Sequence, residues 1–518
     1  MSRIAICRLV VLTALAVRPP ARLSAQQFRV EEATIAEIHA AMASGRLTAR
    51  QLVQLYLDRI AAYDKQGPAL NAMVTLNPAA LARADSLDAA YARSGRLTGS
   101  LHGIPVIVKD NYDTRDLPTT AGSLSLWGSI PPEDANQVKR LREAGAIVLG
   151  KSNMAEFAFS PYETVGSALP GYTRNPYALN RVTAGSSGGT AAAVAACFGT
   201  VGLGTDTGNS IRGPSSHNAL VGIRSTMGLT SRAGIVPLYL DRDIGGPMAR
   251  TVADAVAVFD VIAGYDPADP VTEAARERRA ARYADYLLAD GLKGARIGVL
   301  RQLSNTDTAD PEIVQRFDQA LADMRKAGAV VVDSVVVLEL DSIRGPLFCP
   351  RFKWDLNAYL GHLGPGAPVK SLAEIIESRR YHPSIEPRLR QMQDTPGVSP
   401  EDNADCRQAW ANADRLKAGV RRVLAERRLD AVVYPSWSNP PRLIGDLNTP
   451  HGNNSPRISP PTGFPAITVP MGFVKEGLPV GLQILGDAWS EPTLIKLAYG
   501  YEQATKHRRP PSSTPELQ

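Results

Sequence analysis

The chain has 518 residues, of which 44% are hydrophobic and 21% charged, and its formal net charge is +6. This composition supplies enough apolar side chains for a large core and excludes a disordered chain. The basic residues are scattered, so the small positive charge does not indicate a nucleic-acid surface, and no nucleic-acid partner is expected.

The first 25 residues are typical of an export signal. Arg3 and Arg8 precede an apolar run, and small residues lie just before Gln26. We therefore expect residues 1–25 to be removed and the mature protein to be periplasmic or secreted. No later stretch has the roughly 18 uninterrupted apolar residues of a spanning helix, so stable membrane insertion is not expected.

The first half of the chain alternates between helical and strand patterns. Thr48, with Gln51 three residues later, predicts the start of a helix. Helical periodicity is found in residues 33–63, 78–94, 136–144 and 190–197, and short apolar strand-like runs in residues 104–108, 146–149 and 201–205. Strands that alternate with helices predict an α/β sheet covered by helices on both faces.

The second half returns to the sheet after a long polar stretch. Residues 247–264 are predicted to form a helix and residues 296–300 a strand. Residues 311–430 form a mostly helical excursion from the core, and strand patterns resume at residues 430–435 and 466–470. Because strands bracket the excursion, residues 26–518 are expected to form a single domain.

The four cysteines do not predict a disulfide framework in a chain of this length. Cys7 would be removed with the export signal, whereas Cys197, Cys349 and Cys406 are widely spaced and fit no metal-ligand pattern. They are expected to be unpaired thiols, either buried or on the surface, and no metal site is expected.

Two loops rich in glycine and serine are candidates for catalysis. The first reads Gly-Ser-Ser-Gly-Gly around Ser186 and Ser187, and the second reads Gly-Thr-Asp-Thr-Gly-Asn-Ser-Ile-Arg up to Arg212. Small residues let the backbone approach a substrate, and several N–H groups then converge as an oxyanion hole requires. Neither loop fits the pattern of a nucleotide-binding P-loop.

Lys109 closes the apolar run that begins at Ile104 and is followed by Asp110 and Asn111. A lysine at the end of a strand commonly extends to solvent. If it is buried instead, its pKa falls by as much as about 3–5 units, and the neutral amine can act as a general base towards a serine.

These segments together resemble the amidase signature family. The matching motifs are the run from Gly103 to Asn111, the two serine loops, Gly246-Pro-Met-Ala-Arg-Thr-Val-Ala-Asp-Ala and Gly477-Leu-Pro-Val-Gly-Leu-Gln. They lie in the family's order over residues 33–510. The resemblance implies the family's large mixed sheet.

The resemblance also assigns roles at individual positions. It makes Ser210 the nucleophile, Ser186 the serine that relays the proton and Lys109 the base, with a cis peptide before Ser186. The backbone N–H groups of Thr207, Gly208, Asn209 and Ser210 correspond to the oxyanion hole, and Ser187, Asp206 and Arg212 to supporting residues. No metal or organic cofactor is implied, because protein groups supply the base and the oxyanion donors.

The chain departs from the family pattern at Asn209, where many relatives have glycine. Asparagine tolerates positive φ, so the turn is expected to survive while the side chain narrows or polarises the acyl pocket. His217 lies in another divergent segment and is expected to support the site rather than to catalyse.

Within the family, the chain looks most like the bacterial peptide amidases, which remove the C-terminal amide from peptides. The similarity lies in residues 488–499, in Leu101-His-Gly-Ile-Pro and in the export signal. A peptide or small-molecule amide is therefore the expected substrate, and acyl-amide, aryl-amide or carbamate hydrolysis stays open.

Three alternatives lie outside this interpretation. The first is the amidase-type component of a glutamyl-tRNA amidotransferase, which has the same motifs. The export signal argues against this assignment. A Ser-His-Asp esterase would use Ser187 as the nucleophile, with His102 as the best partner, but residues 180–184 give weak support for the strand that this motif needs. An inactive binding module would be expected to lack a catalytic residue, and none is missing.

Overall fold

The structure is a computed structural model and describes residues 28–517. The predicted export signal, residues 1–25, lies outside the described residues. Between residues 28 and 517, no helix is both long enough and apolar enough to cross a membrane.

A mixed sheet of eleven strands forms the centre of this part of the chain, and two further strands form a separate hairpin. The strands are β1 (Met73–Leu76), β2 (Pro105–Lys109), β3 (Ile147–Ser152), β4 (Arg174–Asn175), β5 (Ala178–Val182), β6 (Val201–Asp206), β7 (Val221–Arg224), β8 (Ile244–Ala249), β9 (Arg296–Val299), β10 (Val330–Asp333), β11 (Ala431–Pro435), β12 (Ala466–Val474) and β13 (Leu478–Leu485).

Helices of very different lengths connect these strands. They are α1 (Ile35–Ala43), α2 (Ala49–Tyr63), α3 (Ala80–Ser94), α4 (Asn136–Glu143), α5 (Gly188–Ala195), α6 (Arg212–His217), α7 (Val252–Ile262), α8 (Ala275–Arg278), α9 (Pro311–Lys326), α10 (Glu339–Ser342), α11 (Phe352–His362), α12 (Leu372–Ser378), α13 (Glu386–Gln393), α14 (Ala404–Glu426), α15 (Ser459–Thr462) and α16 (Glu491–Thr505).

The strand order of the large sheet is β1-β3-β2-β6-β8-β7-β12-β13-β11-β9-β10. Strands β3, β2 and β6 run parallel, as do β11, β9 and β10, whereas the strands between these groups pair antiparallel. This mixed sheet confirms the predicted fold class.

The central strands are buried along their whole length. Every residue of β2, β3, β6, β7 and β8 is buried. Because successive side chains of a strand point to opposite faces, this pattern requires cover on both faces. It also explains why these strands read as continuous runs of apolar and small residues.

The predicted elements of the first half agree with the structure. Thr48 begins α2, where its hydroxyl accepts from the Gln51 N–H at 3.1 Å, and the Gln51 side chain accepts from the Thr48 N–H at 2.9 Å. The prediction of a helix over residues 247–264 was wrong at its start. Residues 247–249 belong to β8, and α7 begins only at Val252, after the Thr251 cap.

The segment between β10 and α14, residues 334–403, is named here the helical insert. Its helices α11, α12 and α13 form a cluster of their own with the loops beside the sheet, whereas α10 packs with α14. Phe352 packs against Phe159 with ring centroids 4.8 Å apart, and the Tyr359 hydroxyl donates to Asp113 at 2.7 Å. The insert therefore lies against the loop that follows β2. Within the predicted excursion over 311–430, β10 is a strand of the large sheet.

The expectation of unpaired cysteines was wrong for two of them. Cys349, just before α11, forms a disulfide with Cys406 in α14, while Cys197 is free and buried. The two cysteines are 57 residues apart in sequence. They meet because α14, which follows the helical insert, packs next to the segment that precedes α11.

Candidate active site

Two parallel strands bring the candidate residues to one edge of the sheet. Strand β2 pairs directly with β6, so their carboxyl ends meet at the same edge. Lys109 ends β2, Asp206 ends β6, and the second serine loop follows Asp206. The first serine loop reaches the same place because it leads into α5, which packs against both strands. Loops beyond the carboxyl ends of strands are the usual site of ligands in such sheets.

Lys109 is fully buried at this edge. Its Nζ lies 2.8 Å from the Ser186 Oγ and 2.7 Å from the Thr205 Oγ1. Within residues 28–517 the amine makes no ion pair, whereas the equally buried Lys151 pairs with Asp110 at 3.4 Å. An amine surrounded by hydroxyl groups alone gains little by being charged.

Burial lowers the pKa of Lys109 to about 7, although the carboxylates of Asp206 and Asp243 oppose this shift. Near neutral pH a large fraction of the Lys109 amine is therefore unprotonated. Such an amine can accept a proton from a hydroxyl group that it touches, and the hydroxyl groups of Ser186 and Thr205 are both in contact with it.

The Ser186 loop is held by close backbone packing. The peptide between Gly185 and Ser186 is cis, and the Ser186 carbonyl accepts from the Ala155 N–H at 3.1 Å. A Cβ on Gly185 would lie 2.5 Å from the carbonyl oxygens of Ser160 and Glu163. Glycine is thus required here by space, and the loop fits tightly against the 160–163 turn.

Ser210 lies in the turn between β6 and α6 and is 5% exposed. In the described part of the chain its hydroxyl makes no hydrogen bond, and none joins it to Ser186. The N–H groups of residues 207–210 likewise donate to no protein acceptor between residues 28 and 517. Unpaired N–H donors next to a serine hydroxyl are what the predicted oxyanion hole requires.

The turn that carries these N–H groups is anchored from below by Asp206. Its carboxylate accepts from the Ile211 N–H at 3.2 Å and from the Arg212 Nε at 3.0 Å, and pairs with Arg224. Burial raises the pKa of Asp206, but the two guanidinium groups outweigh burial and lower it to about 2. Asp206 therefore stays ionised and fixes the turn that carries Ser210.

Three neighbours of the site were not singled out in the sequence. Thr205 accepts from both Lys109 and the Asn111 Nδ2, the latter at 3.1 Å. Asp243 accepts from the Thr207 hydroxyl and from the N–H groups of residues 238 and 239. Thr205 and Asn111 lie within the matched motifs, so their nearness in sequence to Asp206 and Lys109 could have identified them. Nothing in the sequence pointed to Asp243. Ser187 donates to the Thr205 carbonyl at 3.2 Å and supports the same strand end.

The second buried lysine has a different environment. Lys151 donates to the Tyr112 carbonyl at 2.7 Å and to the Thr119 hydroxyl at 2.8 Å, beside its ion pair with Asp110. These contacts hold the loop that follows β2. Lys151 is thus satisfied by fixed partners and has no contact with either serine loop in the described residues.

Asn209 does not occupy the expected position. Its φ is not positive, and its side chain donates to the carbonyls of Pro161 and Gly185 at 3.2 and 2.9 Å. The turn therefore does not use a positive φ at this position, and the expected narrowing or polarising of the acyl pocket stays a prediction. The amide turns inward, between the two serine loops.

Among residues 28–517, no histidine is hydrogen-bonded to Ser187, whose hydroxyl bonds to the backbone of Thr205. His217 is buried against Trp437 with ring centroids 4.7 Å apart, and burial lowers its pKa to about 3. His102 contacts the Thr98 hydroxyl through Nδ1 at 2.9 Å. Strand β5 does precede the first serine loop, contrary to expectation, but it belongs to the separate hairpin rather than to the large sheet.

Among residues 28–517, no group of three or more histidine, cysteine, aspartate or glutamate side chains is arranged to hold a metal ion.

Comparison with known proteins places this site in a family context. The family model described as Amidase matches residues 51–495. The crystal structure of native peptide amidase from Stenotrophomonas maltophilia superposes with a TM-score of 0.83 at 39% sequence identity, covering 93% of this chain and 98% of that one.

Two curated relatives match over a similar span. A probable amidase of Arabidopsis thaliana is 36% identical over 508 residues, which cover 93% of this chain and 92% of the relative. A component of the glutamyl-tRNA(Gln) amidotransferase of Acinetobacter baumannii is 33% identical over 504 residues, which cover 91% of this chain and 96% of that component.

Proposed function

The chain belongs to the amidase signature family and is an amide-hydrolysing enzyme, and we propose that it acts through an acyl-enzyme on Ser210. In this proposal Ser186 relays the proton and Lys109 is the base. The observation that carries it is the fully buried Lys109 amine, 2.8 Å from the Ser186 Oγ and without an ion pair in the described residues.

The first half of the reaction forms the acyl-enzyme. The Ser210 Oγ attacks the amide carbon, its proton moves to Ser186, and the Ser186 proton moves to the Lys109 Nζ. Negative charge collects on the substrate oxygen, next to the N–H groups of residues 207–210. The proton then returns from Lys109 through Ser186 to the leaving nitrogen, and the C–N bond breaks.

The second half releases the acyl group. Water attacks the ester on Ser210, gives a proton to the same relay and forms the carboxylic acid, while the Ser210 oxygen recovers its proton. The relay thus serves as base and as acid in each half, which requires an amine whose pKa lies near the working pH. The lowered pKa of Lys109 is suited to this use.

For the substrate we propose a peptide with a C-terminal amide, which would be converted to the free acid with release of ammonia. The support is the similarity over 93% of the chain to a protein named as a peptide amidase. Acyl-amides, aryl-amides and carbamates are the alternative substrates of the same machinery.

Incubation of the enzyme with a C-terminally amidated peptide is expected to release ammonia and to give the mass of the free-acid peptide. The matched control is a peptide with a free C-terminal carboxylate whose only primary amide is the side chain of an internal Gln or Asn, and this peptide should stay unchanged. Hydrolysis of an anilide or a carbamate with no turnover of the amidated peptide would assign the enzyme to an alternative class.

A second candidate function is supported by the similarity to a component of an amidotransferase that acts on glutamyl-tRNA. It would require glutamine as the amide donor and partner proteins. Glutamine hydrolysis that appears only in co-purified material containing further proteins and tRNA would favour this candidate over free peptide amides.

We also propose that the mature enzyme is periplasmic or secreted, as the N-terminal sequence suggests. The disulfide between Cys349 and Cys406 supports this, because such bonds persist in oxidising compartments. Protein purified from native cells should therefore begin near Gln26 and, when denatured without reductant, should show one free thiol, that of Cys197. A full-length cytosolic chain with its thiols reduced would contradict the proposal.

A further inference from the structure

The Asn209 side chain lies between the two serine loops and is bonded to backbone carbonyls on the far side. Its Nδ2 donates to the Gly185 carbonyl at 2.9 Å, next to Ser186, and to the Pro161 carbonyl at 3.2 Å. The Pro161 carbonyl also accepts from the Gly185 N–H at 2.9 Å. One amide group thus joins the residue before the nucleophile to the residue before the relay serine.

The surroundings of the Asn209 side chain call for a hydrogen-bond donor, because both of its partners are carbonyl oxygens. Asn209 is 1% exposed, and both hydrogen bonds come from its NH₂ group, while its Oδ1 has no partner in the described residues. A buried acceptor without a partner costs stability, so the side chain is not explained by packing alone. What it contributes is a fixed distance between the two loops.

Space for this side chain is provided by Gly213, in the first turn of α6. A Cβ on Gly213 would lie 2.2 Å from the Asn209 Oδ1, 2.3 Å from its Nδ2 and 2.5 Å from its Cγ. The φ of Gly213 is not positive, so its small size and not its backbone freedom is what the structure uses. Gly213 and Asn209 are therefore sterically coupled.

We infer that Asn209 is a positioning residue that sets the Ser210–Ser186 geometry, and that Gly213 is the matched void that permits it. The inference rests on the proposed function, since it assumes that Ser210 attacks and Ser186 relays. These hydrogen bonds of the Asn209 side chain, called here the brace, act through the carbonyl of Gly185, so substrate contacts are expected to stay unchanged. Its loss should consequently affect the chemical step more than substrate binding.

The test uses Asn209→Gly, Asn209→Asp, Gly213→Ala and the double variant Asn209→Gly with Gly213→Ala. The rate at which a fluorophosphonate labels Ser210 measures how well the nucleophile is positioned and does not depend on binding of the amide substrate. The kcat and KM for an amidated dipeptide are measured alongside it. Thermal midpoints show whether each variant is folded.

Asn209→Gly should slow labelling and lower kcat in parallel by about tenfold to 100-fold, with KM nearly unchanged, because misplaced reacting atoms have effects of this size. Asn209→Asp should be at least as slow, since its carboxylate replaces two donors with acceptors that face carbonyl oxygens. Gly213→Ala should match Asn209→Gly, and the double variant should be no slower than Asn209→Gly alone, because the clash has been removed.

Wild-type labelling rates in folded Asn209→Gly and Asn209→Asp would overturn the inference and leave the proposed function intact. So would a double variant in which Gly213→Ala shows its full effect on top of Asn209→Gly. If Gly213→Ala does not fold, the two Asn209 variants decide the question. Failure of the wild-type protein to be labelled on Ser210 would overturn the proposed function, and the brace with it.

Discussion

Ser210→Ala should reduce kcat for amide hydrolysis roughly a thousandfold or more, as loss of a nucleophile does in other serine hydrolases. The variant should stay folded, because the change removes a hydroxyl that makes no hydrogen bond in the described residues and leaves the core volume unaltered. Steady-state kinetics on the amidated peptide, together with the thermal midpoint, measure both quantities. A loss below about tenfold, or 1.4 kcal/mol in activation free energy, would contradict the assignment.

Covalent labelling separates Ser210 from its rival Ser187. A fluorophosphonate should modify Ser210 in the wild-type protein and in Ser187→Ala, and should modify no serine of either loop in Ser210→Ala. The Ser187 hydroxyl is buried and donates to the Thr205 carbonyl, so it is not free to attack. Recovery of the label on Ser187 would favour the Ser-His-Asp interpretation.

Replacement of Lys109 should discriminate between substrates. Lys109→Met keeps most of the side-chain volume in a fully buried position but removes the amine. Amide hydrolysis should fall by about 100-fold to 10,000-fold, the range for loss of general acid–base catalysis, because among residues 28–517 no side chain other than Lys109 hydrogen-bonds to the Ser186 hydroxyl and could return a proton to the leaving nitrogen. Ester hydrolysis should fall less, since an alkoxide or phenolate leaves with little protonation.

The matched control is Lys151→Met, which removes the other fully buried lysine. Its loss leaves Asp110 without its cationic partner, so it should lower the free energy of unfolding. Amide and ester hydrolysis should fall by the same factor, because in the described part of the chain the amine hydrogen-bonds to neither serine loop. An equal loss on both substrates in Lys109→Met would show that Lys109, too, acts only through structure.

The pH dependence of amide hydrolysis follows from the lowered pKa of Lys109. The base must be neutral, so wild-type kcat/KM should rise with pH through about 7, where the pKa of Lys109 lies, and then form a plateau. The rise reports a macroscopic pKa of the coupled lysine and serines. Lys109→Met should lose this rise. A profile governed by His217 is not expected, because burial keeps that ring neutral above about pH 3.

Local signals determined much of the fold. A run of β-branched residues predicted the buried strand β2, a short segment of apolar residues and glycines predicted β6, and the Thr48 cap predicted the start of α2, because these features depend on neighbours in sequence. The start of α7 was misjudged, since Pro247 to Ala249 carry a helix-like apolar pattern but pair with β6 in the sheet.

The serine and lysine motifs, taken together with their resemblance to the amidase signature family, predicted Lys109, Ser186 and Ser210 as site residues, and the structure places Lys109 against Ser186. Only the tertiary structure decided what those residues experience. The burial that lowers the pKa of Lys109, its second contact with Thr205 and the anchoring of Thr207 by Asp243 all join segments that are distant in sequence. Desolvation depends on everything packed around a group, and no local pattern encodes it.

The same reason accounts for Asn209 and for the cysteines. From the sequence, Asn209 is a polar residue in a catalytic turn, and the direction of its side chain was set by two carbonyls and by the space above Gly213. Cys349 and Cys406 carry no local sign of pairing and meet because the helical insert returns the chain to α14. Sequence therefore determined the inventory of reactive groups, and three-dimensional packing decided their protonation, direction and partners.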